Sequence, residues 1–284
     1  YYDNQKLLPI FEPIDTSNAG KNRYARMCNG NKPFILIVNP AVVDGPSQAN
    51  VMAQIVNHAD IAPFNNFKLG YLVDGGTTNA QLQAFMALSP AHAKVFIHRG
   101  EYTTSTDFHA INANVDYHIF KRERVTDTYV NSVSNGTSKV LLKDGFNRQD
   151  RNADYNGPEV FFDLHNTYHG LGFDGFGDYQ MIGDNFRRGG GPAYAVALHL
   201  TSERGNNLIM NHYVSDRTTG AGDVAGKFGE ALNHLINDVP NLTIANTGGL
   251  QEFHNLHGTG HFPNLGPAKK LSLIHHIEQI CSII

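Results

Sequence analysis

Acidic, imidazole and cationic side chains recur at the points where short apolar runs of the sequence end. Carboxylates and imidazoles transfer protons, and lysine and arginine stabilise negative charge on a substrate or a transition state. The candidate catalytic residues are Glu12, Asp74, His98, Lys143 and His199. The candidate substrate-binding residues are Asn39, Arg99, Asp184, Arg187, Arg188, Asp216 and Arg217. This mixture of residue types is typical of a hydrolase or a lyase.

In this hypothesis, each type of side chain has its own chemical role. Glu12 and Asp74 are suited to hold a hard divalent cation or to act as a general base. His98 and His199 titrate near neutral pH and are suited to proton transfer. A divalent metal ion is therefore a candidate cofactor, although no residues are assigned as its ligands. The alternative is that these polar residues form a salt-bridged lid over the core.

A glycine-rich segment with two arginines, "RRGGGP" at residues 187–192, is a candidate phosphate cradle. Glycines let successive N–H groups face an anion, and arginines add bidentate donors. The alternative is a flexible connector. A predicted strand at 179–182 places Asp184 at its carboxyl end, beside this loop, and Asp178 at its entry, where a stabilising role is expected. Asp216 and Arg217 form either a site element or an internal ion pair.

The 15 histidines include a late group that raises the question of a metal site. His254, His257 and His261 have a spacing that suggests zinc, but the glycines among them favour a loop. His275 and Glu278 share a helix face at i, i+3 spacing, which suits a metal or a structural hydrogen bond. Packing is the alternative for each of these histidines.

Composition limits the class of protein. The chain has 284 residues, of which 41% are hydrophobic and 17% charged, so it can bury a core. A net charge of −4 gives no general footprint for nucleic acid. No apolar run approaches the roughly 18 residues that span a bilayer. Cys28 and Cys281 have no metal or redox spacing, so we expect reduced thiols and a cytoplasmic protein.

Short β-branched and aromatic runs predict buried strands. They lie at residues 7–14, 34–39, 69–74, 95–98, 117–120, 140–144, 179–182 and 193–200. Apolar residues on one helical face predict helices at 48–59 and 80–88. Strands that alternate with helices favour parallel pairing, and eight of them favour a somewhat irregular (β/α)8 TIM-barrel-like fold. An open doubly wound α/β sheet is the alternative.

The rest of the chain adds elements to this barrel. Residues 208–214 predict a further strand, paired with 193–200 as a hairpin, and helices are predicted at 223–236 and 267–284. We expect residues 1–284 to form a single barrel-like domain. Because the chain begins with Tyr1 rather than Met, we expect an N-terminal piece to be absent. Residues 15–32 are short for a barrel crossover, so part of that region is expected to be absent too.

Motifs in the second half of the chain carry a family resemblance. They are "KDGF" at 143–146, "DLH" at 163–165, "GFGDY" at 175–179, "HYVSDR" at 212–217, "GKFGEAL" at 226–232 and "GHFPNLG" at 260–266. In them the chain resembles an uncharacterised bacterial family of about this length and is distantly similar to the phage-related "beta protein" family. The resemblance implies a gene pair with a second small protein, in a phage-defence or mobile-element context. It implies no catalytic residues.

Two hypotheses of function follow. The first is a barrel enzyme whose mouth binds an anion or phosphate and which hydrolyses a phosphorylated or nucleotide-like substrate. The second is a non-catalytic barrel scaffold that binds the protein encoded by the neighbouring gene. A phosphate-like small molecule and that protein are therefore the expected partners.

Overall fold

The computed structural model describes residues 6–102, 114–133, 137–186 and 189–284. The chain divides into two compact units. Among the described residues, the parallel-sheet unit comprises those from 6 to 143 together with Tyr168–Gly177, and the hairpin unit comprises Asp144–Thr167 and Asp178–Ile284. In the described part of the chain, no helix is long and apolar enough to cross a membrane.

The strands form two sheets. In chain order they are β1 (Ile10–Phe11), β2 (Ile35–Ile37), β3 (Lys68–Val73), β4 (Lys94–His98), β5 (Tyr117–Lys121), β6 (Ser138–Lys143), β7 (Glu159–Phe162), β8 (Gly175–Asp178), β9 (Ala197–Arg204) and β10 (Asn207–Val214). The larger sheet has the order β1-β2-β3-β4-β5-β6-β8, with parallel pairing from β1 to β6. The smaller sheet has the order β7-β10-β9 and is antiparallel.

Helices follow several strands. They are α1 (Asn18–Asn29), α2 (Gln48–Val51, continuing as a π-helix at Met52–Val56), α3 (Asn79–Ala87), α4 (Asp127–Val133), α5 (Leu164–Thr167), α6 (Val224–Asp238), α7 (Gly248–Thr259) and α8 (Leu265–Ile283). Thr78 caps α3 through a capping box with Gln81, and Asp223 caps α6 by accepting from Gly226 N–H.

The α/β class is confirmed by the curled seven-stranded sheet and its helices. A closed eight-stranded barrel is not confirmed. The predicted eighth barrel strand corresponds to β9, which pairs antiparallel with β10 instead of joining the larger sheet. The predicted hairpin between these two strands is confirmed.

The predicted strand at 179–182 is wrong. The chain forms β8 four residues earlier, and Gln180 adopts a left-handed turn conformation at φ 54°. Glycine weakens a strand in general, but in β8 it allows close packing against β6. A Cβ on Gly177 would lie 3.3 Å from Leu142 Cδ1. Asp178 therefore ends the strand and does not precede it, whereas Asp184 lies six residues beyond the strand end.

Two helices occupy segments that the sequence analysis assigned differently. Residues 15–32, which the sequence analysis described as short for a barrel crossover, contain α1, whose first turn is capped by Ser17 Oγ accepting from Gly20 N–H. The segment that holds His254 and His257 is α7 rather than a loop, and it ends at Gly260, whose φ of 63° suits a glycine cap. The glycines predicted a loop because glycine has a low helix propensity. In the folded chain the packing of the rest of α7 outweighs that propensity.

Each unit has its own apolar core. In the parallel-sheet unit the strand interiors are buried on both faces, as in β4, where all five residues are buried. In the hairpin unit, β9 and β10 contribute one apolar face that helices α6 and α7 cover. That face includes Leu198, Leu200 and Tyr213. The alternate residues of β9, including His199 and Thr201, point to the opposite face.

Candidate acid–base site

The β9–β10 hairpin places two histidines opposite each other. Its strands are joined by a two-residue loop, Gly205–Asn206, in which Gly205 has a φ of 59°. Counting back from the pair Arg204 and Asn207, this loop sets His199 against His212. Paired residues in an antiparallel sheet project to the same face, so the two imidazoles meet there.

A chain of hydrogen bonds runs from a carboxylate through both imidazoles. His212 Nε2 lies 3.0 Å from Glu159 Oε1, and His212 Nδ1 lies 2.8 Å from His199 Nδ1. Because a carboxylate accepts, His212 Nε2–H is the donor to Glu159. In the neutral ring His212 Nδ1 then accepts from His199 Nδ1–H. The Nε2 of His199 is left as a lone pair, with no hydrogen-bond partner among the described residues.

Burial keeps both rings neutral at pH 7. Burial, with smaller contributions from the nearby His212 and the charge of Lys269, lowers the pKa of His199 to about 3. Burial also lowers the pKa of His212, although the hydrogen bond to Glu159 opposes this effect. A neutral His199 with a free Nε2 is the form that can accept a proton.

The carboxylate end of the chain is held on β7. Glu159 pairs with Met210 of β10, the strand that carries His212. Its second oxygen, Oε2, accepts from Asn147 Nδ2 at 3.0 Å. Two hydrogen bonds thus fix the carboxylate, which in turn fixes the tautomer of His212.

Aromatic rings fix the orientation of the histidines. The Tyr155 ring stacks on His212, with centroids 4.8 Å apart, and meets His199 edge-on at 4.7 Å. The ring of buried Phe146 meets His199 edge-on at 5.2 Å. These contacts restrict ring rotation, so the lone pair of His199 has a defined direction.

Lys269 lies near His199, Arg148 lies near Lys269, and neither cation has an acidic partner among the described residues. Arg148 donates Nη1 to the Asn185 carbonyl oxygen at 3.0 Å, and Lys269 makes no hydrogen bond or ion pair with the described residues. Burial lowers the pKa of Lys269, and the charge of Arg148 lowers it further, so the two cations are close together. Cations without a counter-charge are suited to bind an anion.

Helix α8 is positioned along β9 by its histidines. His275 Nε2 donates to the Thr201 carbonyl at 2.7 Å, and Gln279 donates to Glu203 at 2.9 Å. These bonds cover the open edge of the strand and set α8 and β9 in the same direction. Lys269 is two turns before His276 on the same face of α8, which brings it beside the part of β9 that carries His199.

A second relay-like chain is structural. Thr201 Oγ1 lies 2.7 Å from His276 Nδ1, and His276 Nε2 lies 3.2 Å from both oxygens of Asp178. The order hydroxyl, imidazole, carboxylate is that of a nucleophilic triad. Thr201 is 0% exposed, however, so no substrate reaches its hydroxyl. The chain joins α8 to β9 and to Asp178.

Five candidates from the sequence follow strands of the larger sheet. Asn39 is bonded through its amide to both the carbonyl and the N–H of Leu72, and Glu12 accepts from Ala41 N–H at 2.6 Å. Asp74 Oδ2 lies 3.4 Å from Arg99 Nε. Half-buried Lys143 makes no hydrogen bond or ion pair with the described residues. The first four candidates thus have structural partners.

His98 belongs to a buried chain within the parallel-sheet unit. Its Nδ1 lies 2.9 Å from the Tyr129 hydroxyl, and its Nε2 lies 2.9 Å from His118 Nδ1. The side chain is 0% exposed, and burial lowers its pKa well below the usual value. No substrate reaches His98 in this position, so we assign it a packing role.

The remaining binding candidates divide into three groups. Arg217 forms ion pairs with Asp223 and Glu230, and Asp216 pairs with His234 at 2.9 Å; these pairs are largely exposed and do not join Asp216 to Arg217. Asp184 donates its N–H to Asp144 Oδ2 at 2.9 Å. Arg187 and Arg188 lie outside the described residues.

The late histidines form no metal site in the described part of the chain, where no three metal-ligating side chains converge. His257 Nε2 lies 2.8 Å from Asn233 Oδ1. His275 bonds to Thr247 Oγ1 at 2.7 Å, and Glu278 accepts from Gly248 N–H at 2.6 Å. His275 and Glu278 therefore act in helix packing and capping.

Sequence reasoning identified His199 but missed its partners. The glycine–asparagine pair between the two strands could have predicted His212 as the partner of His199. A two-residue hairpin loop fixes which residues of the two strands face each other. Glu159 lies in a strand that was not predicted, and Arg148 and Lys269 are brought in only by tertiary packing. Comparison of the chain with models of known protein families, with curated proteins and with solved structures finds no match.

Proposed function

We propose that this protein is a cytoplasmic hydrolase of a phosphorylated or nucleotide-like substrate, with His199 as its general base. The single observation that supports the proposal is the Glu159–His212–His199 chain, which leaves His199 Nε2 without a partner among the described residues, with Lys269 nearby. A structural role for His199 would leave this lone pair unused. An acid–base role uses it: a phosphate anion bound beside Nε2 raises the pKa of His199 from its low value, and His212 accepts the Nδ1–H of the imidazolium that forms.

In the proposed reaction, side chains of this protein bind the substrate and accept the proton. Arg148 and Lys269 bind the phosphate oxygens and offset the negative charge of the transition state. His199 Nε2 takes a proton from the water that attacks phosphorus. The ester P–O bond breaks, and the leaving oxygen takes a proton from solvent.

The test is hydrolysis of a panel of phosphate monoesters, phosphodiesters and nucleotides by the wild type, His199→Asn and His234→Asn. His234 is the matched control, because it is a half-exposed histidine paired with Asp216 in the same unit. We expect His199→Asn to lose about 10²–10⁴-fold in kcat on the hydrolysed member, the typical contribution of a general base. Equal activity of all three proteins, or no hydrolysis of any member, would contradict the proposal.

The biological setting is proposed on the family resemblance alone. It places the protein in phage defence, beside a partner encoded by the neighbouring gene. Plaque assays with the gene pair test this setting: we expect His199→Asn to lose protection and His234→Asn to keep it. Full protection by His199→Asn would favour the non-catalytic scaffold.

A further inference from the structure

A groove of about 800 Å³ runs along helix α1 in the parallel-sheet unit. One side is formed by α1, and the other by the turn that holds Asp60, Pro63 and Phe64. Twelve helical residues span about 18 Å, which matches five or six residues of extended chain. The groove is therefore long enough to hold a short peptide segment.

The helix side of the groove is basic. Helix α1 contains Lys21, Arg23 and Arg26 and no acidic residue, although the chain as a whole has a net charge of −4. Arg23 makes no hydrogen bond or ion pair with the described residues, and Arg26 donates Nε to the Asn22 carbonyl. Like charges at i, i+3 spacing destabilise a helix slightly.

The rest of the groove is largely apolar. Ala19 and Ala25 on the helix and Ala59, Pro63 and Phe64 on the turn line it, together with the polar Asn22 and Asn29. Asp60 lies on the turn side, where its exposed carboxylate is 3.7 Å from His58 Nδ1. Acidic groups are therefore attracted to the helix side and repelled from the turn side.

We propose that this groove binds an acidic, partly apolar segment of a partner protein. Acidic side chains pair with Arg23 and Arg26, and apolar side chains pack on Pro63 and Phe64. A nucleic-acid strand fits less well, because its uniformly charged backbone would also face Asp60. None of the residues that line the groove belongs to the proposed hydrolytic site, so this binding is tested independently of that activity.

The test is fluorescence anisotropy with a labelled twelve-residue peptide of alternating Glu and Leu, compared with a Lys/Leu peptide and a single-stranded oligonucleotide. The variant is Arg23→Glu/Arg26→Glu. The matched control, Arg204→Glu/Lys270→Glu, changes the net charge equally at exposed positions of the other unit. Melting curves by circular dichroism verify that both variants fold, and Arg23→Ala/Arg26→Ala replaces the first if it does not.

We expect saturable binding of the Glu/Leu peptide by the wild type and by the control, and at least tenfold weaker binding by Arg23→Glu/Arg26→Glu. The charge-reversed variant should instead gain affinity for the Lys/Leu peptide. No saturable binding by the wild type, an equal loss in both double variants, or tighter binding of the oligonucleotide would overturn the proposal. His199→Asn should bind the peptide as the wild type does.

Discussion

His199 Nδ1 lies 2.8 Å from His212 Nδ1 across the β9–β10 hairpin, and this contact determines which nitrogen of His199 is free. Two Nδ1 atoms can share one proton only if one ring donates and the other accepts. Glu159 decides the direction, because it requires the proton of His212 on Nε2. A residue on a separate strand thus sets the tautomer of His199.

Glu159→Gln should therefore reverse the chain of donors. The NH2 group of the introduced amide can donate to His212 Nε2, which moves the His212 proton to Nδ1 and the His199 proton to Nε2. The free lone pair of His199 then faces His212 and not the substrate. We expect a loss in kcat on the order of 10²–10⁴-fold.

The readout that separates this effect from unfolding is ¹⁵N NMR of the His199 ring. Nε2 should have the chemical shift of an unprotonated nitrogen in the wild type and of a protonated one in Glu159→Gln. Asn147→Ala, which keeps the carboxylate but removes one of its hydrogen bonds, should keep the wild-type tautomer. An unchanged ring spectrum in Glu159→Gln would contradict the direction of the chain.

Lys269 should contribute to anion affinity through its charge. Lys269→Met removes the cation that lies near His199, so we expect roughly tenfold weaker binding of inorganic phosphate, whereas Lys269→Arg should retain it. Isothermal titration calorimetry measures both. The neighbouring exposed Lys270→Met is the control and should bind as the wild type does. Equal affinities of Lys269→Met and Lys270→Met for phosphate would show that Lys269 does not contact the anion.

Acidification should destabilise the fold between about pH 6.5 and pH 4. Burial lowers the pKa of His275 to about 4 and that of His118 to about 4. The unfolded chain binds these protons below its usual histidine pKa of about 6.5, and the folded chain does not until about pH 4. Stability is thus complete above pH 6.5 and decreases as the pH falls, by on the order of 3 kcal/mol per residue.

Urea unfolding at pH 7.5 and pH 5 tests this dependence. His275→Asn should be less stable than the wild type at pH 7.5 by about 1–3 kcal/mol, because it leaves the Thr201 carbonyl and Thr247 without their partner. It should lose less stability than the wild type on acidification. Parallel pH dependences of the two proteins would mean that His275 is protonated in the folded state.

Local patterns predicted the strands well, and tertiary relationships account for the errors. β-branched runs located β2 to β6 because burial on both faces selects them. Glycine-rich β8 has no β-branched run that would predict a strand. Its glycines lie there because they approach β6 closely, which is a tertiary relationship. The same distinction between local pattern and tertiary packing applies to the site. His199 could be named as a candidate from the sequence because of its residue type. Lys269 could not be, because only the packing of α8 brings it near.

Helix packing at Gly249 provides a stability prediction with an internal control. A Cβ on Gly249 would lie 2.4 Å from the Leu271 carbonyl oxygen and 2.7 Å from His275 N, both backbone atoms of α8. Gly249→Ala should force α7 away from α8 and cost about 1–3 kcal/mol. Gly258, also in α7, has no atom within 4 Å of such a Cβ, so Gly258→Ala should stabilise the protein by up to about 1 kcal/mol. Thermal unfolding of the two variants should shift Tm in opposite directions, and a shift of the same sign would show that α7 and α8 do not pack this closely.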